Sequence, residues 1–220
     1  MSRIIKRFSF YSIFSLCILL SIISCTKKVD NAALSRYLSA KKEYENQNLN
    51  TALLEFTALN KDYSKFYQSR FMEGKTLYFL KKFDKAALVF ADLLEDNPAF
   101  SQGKLWMARV LTASGAYDMA ETTLLEQLAL DPTDPRILFD LSKIKARQGN
   151  SAGSFEYLQK AKLFSEEFVH VYINLAKFYY QNDITDRALE ELNTALQLLD
   201  KKHPLVFAIN NLKKEIQFHE

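Results

Sequence analysis

From residue 33 onward, apolar residues recur three and four places apart, as in Leu105, Ala108 and Leu111 and again in Ala120, Leu124 and Leu128. That spacing lines one face of an α-helix. No segment sustains the period-two alternation of a half-buried strand. The helical stretches are short and come in pairs. Gly115 and Gly149 each stand between the halves of a pair, where a tight turn needs a residue free to leave the right-handed region. The prolines, Pro98, Pro132, Pro135 and Pro204, fall at predicted helix boundaries, where a missing N–H costs least. The pattern predicts helix pairs throughout.

Written in lines of 34 from Ala33, the chain gives five blocks without insertion: 33–66, 67–100, 101–134, 135–168 and 169–202. Small residues recur at block position 8 (Ala40, Gly74, Ala108, Ser142, Ala176) and position 20 (Ala52, Ala86, Ala120, Ser154, Ala188). Large apolar residues recur at position 24 (Phe56, Phe90, Leu124, Leu158, Leu192) and position 5 (Tyr37, Phe71, Leu105, Phe139, Ile173). Small residues let two helices approach closely, and large ones fill the space beside them.

These positions resemble the tetratricopeptide repeat. The third block matches it best, with Ala108, Gly115, Tyr117, Ala120, Leu124 and Pro132 at the family's positions 8, 15, 17, 20, 24 and 32. Other helical repeats differ in period, at about 33 residues for ankyrin and about 40–47 for HEAT and armadillo. The resemblance implies an all-α fold, a right-handed α-solenoid of five helix pairs. Residues 203–220 would close it as a capping helix, with Val206, Phe207, Ile209 and Leu212 covering the last pair. The first blocks depart from the pattern. Position 7, usually large and apolar, is Ser39 and Glu73, and position 4 is Arg36, Arg70 and Lys104. Loosely packed or shifted first helices are therefore expected there.

The chain's start reads as an address. Arg3, Lys6 and Arg7 precede the uncharged run Phe8 to Ile23. A run of 16 residues in helix spans about 24 Å, short of the ~30 Å hydrocarbon core. Basic residues before a short apolar run read as a secretory signal. Ile22-Ile23-Ser24-Cys25 resembles the lipobox of bacterial lipoproteins. That resemblance implies a signal peptide over 1–24, lipidation of Cys25 and a short tether over 25–32. It implies a bacterial envelope protein anchored by lipid. Thr26 in place of an aspartate leans towards the outer membrane, facing the periplasm. On the residues alone, an uncleaved signal-anchor with an incidental Cys25 remains the alternative.

Charge narrows the partners. Setting aside the leader's three basic residues leaves 26 basic residues against 26 acidic ones, so no basic surplus argues for nucleic acid. The two cysteines, Cys17 and Cys25, leave no disulfide framework or Cys-based metal site in the repeats. His170, His203 and His219 fall in no catalytic motif, and no HExxH, GxSxG, P-loop or dinucleotide fingerprint is present. The sequence therefore nominates no catalytic residue, cofactor or metal.

By the tetratricopeptide resemblance, the first helix of each pair lines a concave groove through positions 2, 5, 9, 12 and 13. Position 9 reads Lys41, Lys75, Arg109, Lys143, Lys177, basic in all five blocks. Tyr37, Phe71 and Phe139 at position 5, with Tyr44, Tyr78 and Tyr180 at position 12, would supply amphipathic surface between the cations. Two readings of the basic column stay open: solvated side chains pairing with local carboxylates, or a ladder of cations for an acidic, extended protein segment. The aromatic column carries its own alternative, packing between neighbouring repeats. Trp106 reads as core or groove wall. The function these patterns point to is a non-catalytic scaffold or adaptor binding a partner protein. The alternative is an envelope-structure protein that binds a cell-wall polymer or self-associates.

Overall fold

In the computed structural model, residues 28–165 and 167–218 are described. The signal and lipobox, with Cys25, lie outside them. Among the described residues the structure is all-α and holds no strand. The chain divides into two compact units, 1–76 and 77–220. The first contains α1 (Asn31–Glu45), α2 (Leu49–Asp62) and α3 (Tyr67–Phe79) as far as Thr76. The second holds the end of α3, then α4 (Phe83–Asp96), α5 (Ser101–Ala113), α6 (Tyr117–Leu130), α7 (Pro135–Arg147) and α8 (Ser151–Phe164). It ends with α9 (Val169–Gln181), α10 (Thr185–Gln197) and α11 (Pro204–Phe218). The second helix of each block begins at residue 49, 83, 117, 151 or 185, one repeat period apart each time.

The turn inside each pair explains that regularity. Block position 15 is left-handed in every block: Gln47 (φ 64), Lys81 (φ 58), Gly115 (φ 86), Gly149 (φ 77) and Asp183 (φ 58). The following N–H then reaches back five residues, as Lys82 N to Leu77 O, Ala116 N to Leu111 O and Asn150 N to Lys145 O, each at 2.9 Å. This is the helix-ending bond pattern that satisfies otherwise orphaned carbonyls. Glycine fits such a backbone without strain. Gln47, Lys81 and Asp183 adopt it at a cost of about 1 kcal/mol.

In the first unit, Asp30 caps α1 by accepting from the Ala33 N–H at 2.8 Å and from the Tyr63 hydroxyl at 3.1 Å. One core cluster joins Ala33, Leu59, Tyr63 and Phe66, and a second joins Ala40, Ala52, Phe56 and Met72. Glu73, which the sequence marks as a packing fault, is held firmly. Thr57 Oγ1 donates to its Oε1 at 2.6 Å and Asn60 Nδ2 to its Oε2 at 2.7 Å. Hydrogen bonds between α2 and α3 replace the missing apolar contact, so the expected loosening is absent at this contact. Arg36, at position 4, likewise finds Asp62 at 2.7 Å.

In the second unit each helix from α4 to α11 packs against its neighbour in sequence. Leu105, Ala108, Ala120, Leu124, Ile137, Leu141 and Ile144 form one cluster across α5, α6 and α7. Another joins Tyr172, Ala176, Ala188, Leu192 and Ala195 to Ile209 and Ile216 of α11. Position-24 side chains are completely or almost completely buried, each contributing about 1.5–3 kcal/mol of apolar transfer. The cap differs from expectation at one residue. Phe207 is 75% exposed, and Ile216 fills the core beside Ile209. Residues 209, 212 and 216 share one helix stripe, which Phe207 misses by about half a turn.

Candidate functional site

The position-9 cations begin from the same helical register but meet different surroundings. In the first unit Lys41 pairs with Glu45 one turn on, at 3.5 Å. Lys75 lies over the rings of Tyr44 and Phe71, at 5.4 and 5.6 Å from their centroids. The aromatics of this unit are half-buried in its core. Tyr37 stacks at a tilt against Phe66, 5.1 Å between centroids, and Phe71 and Tyr44 pack on the Ala40–Phe56 cluster. Burial pushes the Tyr44 hydroxyl up to about 12.

In the second unit the position-9 cations of α5, α7 and α9 border two neighbouring cavities. Arg109 of α5 donates through Nε to Asp140 of α7, a carboxylate only 5% exposed. Asp140 sits one turn before Lys143, whose Nζ is 3.7 Å away. Arg109 also stacks over the indole of Trp106 at 4.9 Å, and Trp106 makes an edge contact with Tyr78 at 5.4 Å. Tyr78, Arg109, Lys143 and Arg147 border a small cavity of about 120 Å³. A larger one of about 370 Å³ opens beside it, lined by Lys143, Arg147, Ser154, Asn174, Lys177 and Gln181 among others, with no acidic side chain of the described residues in its wall.

Several other cations of this unit meet carboxylates: Lys145 with Glu121, Lys162 with Glu191 at 2.7 Å, Lys160 with Glu156 at 2.7 Å, Arg136 with Asp134 at 2.6 Å. Around the two cavities, among the described residues, four cations face one carboxylate, and Arg147 and Lys177 have no ion-pair partner. Partial burial lowers the pKa of His170, and the charges of Lys143 and His203 lower it further. Phe139 and Phe168 flank that imidazole, at 6.1 and 6.0 Å, and Phe139 packs on the Leu138–Leu175 cluster. Tyr180 packs partly buried on the cluster of α9, α10 and α11.

Of the residues the sequence nominates, the structure gathers Arg109, Lys143, Lys177 and Tyr78 about these cavities. Tyr37, Phe71, Phe139 and Tyr180 pack against core clusters. Sequence reasoning missed Arg147, although it stands at position 13, four residues after Lys143 and so on the same helix face. It also missed Asp140, for which the period carries no signal. Among the described residues, no group of three or more His, Cys, Asp or Glu side chains is arranged to hold a metal ion, and no helix is long and apolar enough to cross a membrane.

The tetratricopeptide-repeat family model matches residues 80–138. No curated protein matches the sequence. Among solved structures, a tetratricopeptide repeat protein from Parabacteroides merdae superposes with a TM-score of 0.75 at 17% identity, over 96% of this chain and 80% of its own. A thermophilic tetratricopeptide-repeat protein of Thermus thermophilus superposes at 0.73 with 15% identity, over 84% of this chain and 99% of its own. YrrB, described as a tetratricopeptide-repeat protein with an unusual peptide-binding site, superposes at 0.53 with 15% identity, over 83% and 92%. At these identities the likeness concerns the fold.

Proposed function

We propose that this chain, whose residues 80–138 match the tetratricopeptide-repeat family model, is a protein of that family: a non-catalytic scaffold, lipid-anchored in the bacterial envelope, that holds an acidic segment of a partner protein. The observation that carries the reading is the cavity bordered by Lys143, Arg147 and Lys177 with no acidic side chain of the described residues in its wall, in a chain whose basic and acidic residues beyond the leader are equal in number. A cluster of like charges costs stability through mutual repulsion. A partner that supplies carboxylates relieves that repulsion on binding, which gives affinity and steers encounter. The peptide site described for YrrB supports a fold of this kind serving as a peptide receptor. The anchor rests on the leader and on the lipobox at Cys25. Several buried acyl methylenes, each contributing about 0.8 kcal/mol, would hold the domain at the outer membrane, facing the periplasm.

The test is affinity capture from detergent-solubilised envelopes of the source cells. The baits are the tagged full chain and its Lys143→Glu, Lys177→Glu variant, matched for helical circular dichroism. A protein held by the first and lost by the second supports the reading. Capture of no protein by either bait sinks the scaffold and favours the cell-wall or self-association alternative. The anchor is tested separately. Cys25→Ser should abolish acyl labelling and leave the precursor uncut; persistent labelling refutes lipidation there.

A further inference from the structure

The first helix pair leaves uncovered what the next pair buries. Met72, at block position 6 of α3, is 6% exposed and packs on Ala40, Ala52 and Phe56 of the pair before it. Leu38 holds the same position in α1, which follows the tether instead of another pair, and is 55% exposed. Leu34 stands one turn earlier and is 46% exposed. Its block position 2 is polar in every later block, as Gln68, Gln102, Arg136 and His170, so leucine there belongs to the first block alone. The two leucines share one stripe of α1, turned away from the buried Ala33 and Ala40. Val29, on the segment leading into α1, is exposed as well.

Covalent reach says what this face meets. From Cys25 to Asp30, the cap of α1, the chain spans at most about 18 Å even when extended. An acylated Cys25 lies at the boundary of headgroups and acyl chains, so the first turns of α1 stay close to lipid. We infer that the Leu34–Leu38 face of α1 docks on the bilayer surface that holds the anchor, an inference that rests on lipidation of Cys25. The leucines enter the interface as the apolar face of an interfacial helix does. Lys27 and Lys28 before them, and Lys41 and Lys42 after them, favour anionic headgroups. Lys41 shares its charge with Glu45, at the end of α1 away from the tether. Two leucines alone do not bring a protein to a membrane. The anchor makes their docking an intramolecular step at high effective concentration, so a small surface suffices. Docking lays α1 along the lipid and fixes the orientation of the first unit, which the tether by itself leaves free to turn.

The experiment uses the acylated chain, made in the source cells, purified in neutral detergent and reconstituted in vesicles of phosphatidylethanolamine and phosphatidylglycerol. Cys17 departs with the signal and the Cys25 sulfur carries lipid, so an introduced cysteine alone takes a nitrobenzoxadiazole label. Asn31→Cys puts the label on the Leu38 stripe, two turns before it, with both leucines in place. Leu54→Cys is the reference, since Leu54 is 73% exposed on α2 and borders Arg36 and Ser39 on another side of α1. Iodide should quench the Asn31 label at least about threefold less than the Leu54 label, and Leu34→Gln, Leu38→Gln, matched for helical circular dichroism, should abolish the difference. Equal quenching at both sites overturns the docking. Shielding that survives loss of both leucines overturns it too, because the tether alone would then explain it. Diluting the protein about a hundredfold in lipid should leave the shielding unchanged; shielding lost on dilution gives the face to a second copy and overturns the proposal. Acyl labelling of the same samples separates the two readings. A chain without acyl label refutes the anchor, and the docking falls with it, whereas an acylated chain with equal quenching refutes the docking alone.

Discussion

Asp140 holds the centre of the basic face together, and replacing it by asparagine separates stability from binding. The carboxylate is almost wholly buried, while Arg109 keeps 23% of its side chain in water. A hydrogen bond to a charged partner contributes about 1.5–3 kcal/mol, and breaking a fully buried pair costs about 3–5 kcal/mol. Arg109 retains its water contact and its seat on Trp106, so the lower range applies. Asp140→Asn should destabilise the second unit by about 2 kcal/mol, lowering Tm by about 4–8 °C for a domain of this size. Trp106 is the chain's only tryptophan and lies beneath the Arg109 guanidinium, so its emission during urea unfolding reports directly on this contact. Glu156→Gln, which breaks an exposed pair with Lys160, is the comparison and should leave the unfolding midpoint unchanged. The same Asp140→Asn change removes the carboxylate that lines the smaller cavity, so tetraglutamate, a model of the acidic segment, should bind about fivefold more tightly. A variant as stable as wild type, or one that binds no better, would refute the assignment of Asp140 as the counter-ion of this face.

The remaining predictions concern the turns, the cap and pH. Gly149→Ala meets no heavy atom within 4 Å of the added Cβ, so its cost is the left-handed backbone alone, about 1 kcal/mol by denaturant titration. Lys81→Gly should reverse the sign and stabilise by about 0.5 kcal/mol, and two changes of equal sign would refute the turn argument. Ile216→Ala, emptying a site 1% exposed beneath α11, should cost about 2–5 kcal/mol; a loss below about 1 kcal/mol would show that α11 does not cover the last pair. His170 has a pKa lowered in the folded state by burial and by Lys143 and His203, so the unfolded chain binds more protons near and below pH 6.5. Stability should decline as pH falls from about 6.5 to the folded value and then level off, and His170→Gln should remove that slope. Imidazole resonances followed by NMR should also show tetraglutamate raising the His170 pKa, because the ligand offsets the charge of Lys143; an unchanged value would place the ligand elsewhere.

Helix spacing, repeat period, turn positions and buried small residues were all legible in the sequence, because each depends on a helix and its immediate neighbours. A small side chain at positions 8 and 20 has one effect in any block of this kind: it lets the paired helices close. The left-handed turn was legible only where glycine marks it, at Gly115 and Gly149. Gln47, Lys81 and Asp183 adopt the same backbone because the repeat geometry compels it, which residue type does not announce. Phe207 shows the limit of reading apolar content without exact phase, since Ile209, Leu212 and Ile216 define the buried stripe and Phe207 points away.

The charges of the candidate site were the least legible. Five basic residues at one block position look equivalent in sequence, yet a cation's availability depends on what lies across the helix boundary. Asp140 reaches Arg109 from 31 residues away, and Glu73 is satisfied by Thr57 and Asn60 on the preceding helix. Such pairings depend on side-chain reach and rotamer between packed elements, where distances of a few ångströms decide whether charges cancel. The sequence by itself determined the repeated helix hairpin, because backbone geometry and nearest-neighbour packing recur with its period. Only the tertiary structure decided which cations remain free, because electrostatic neutralisation is set through space.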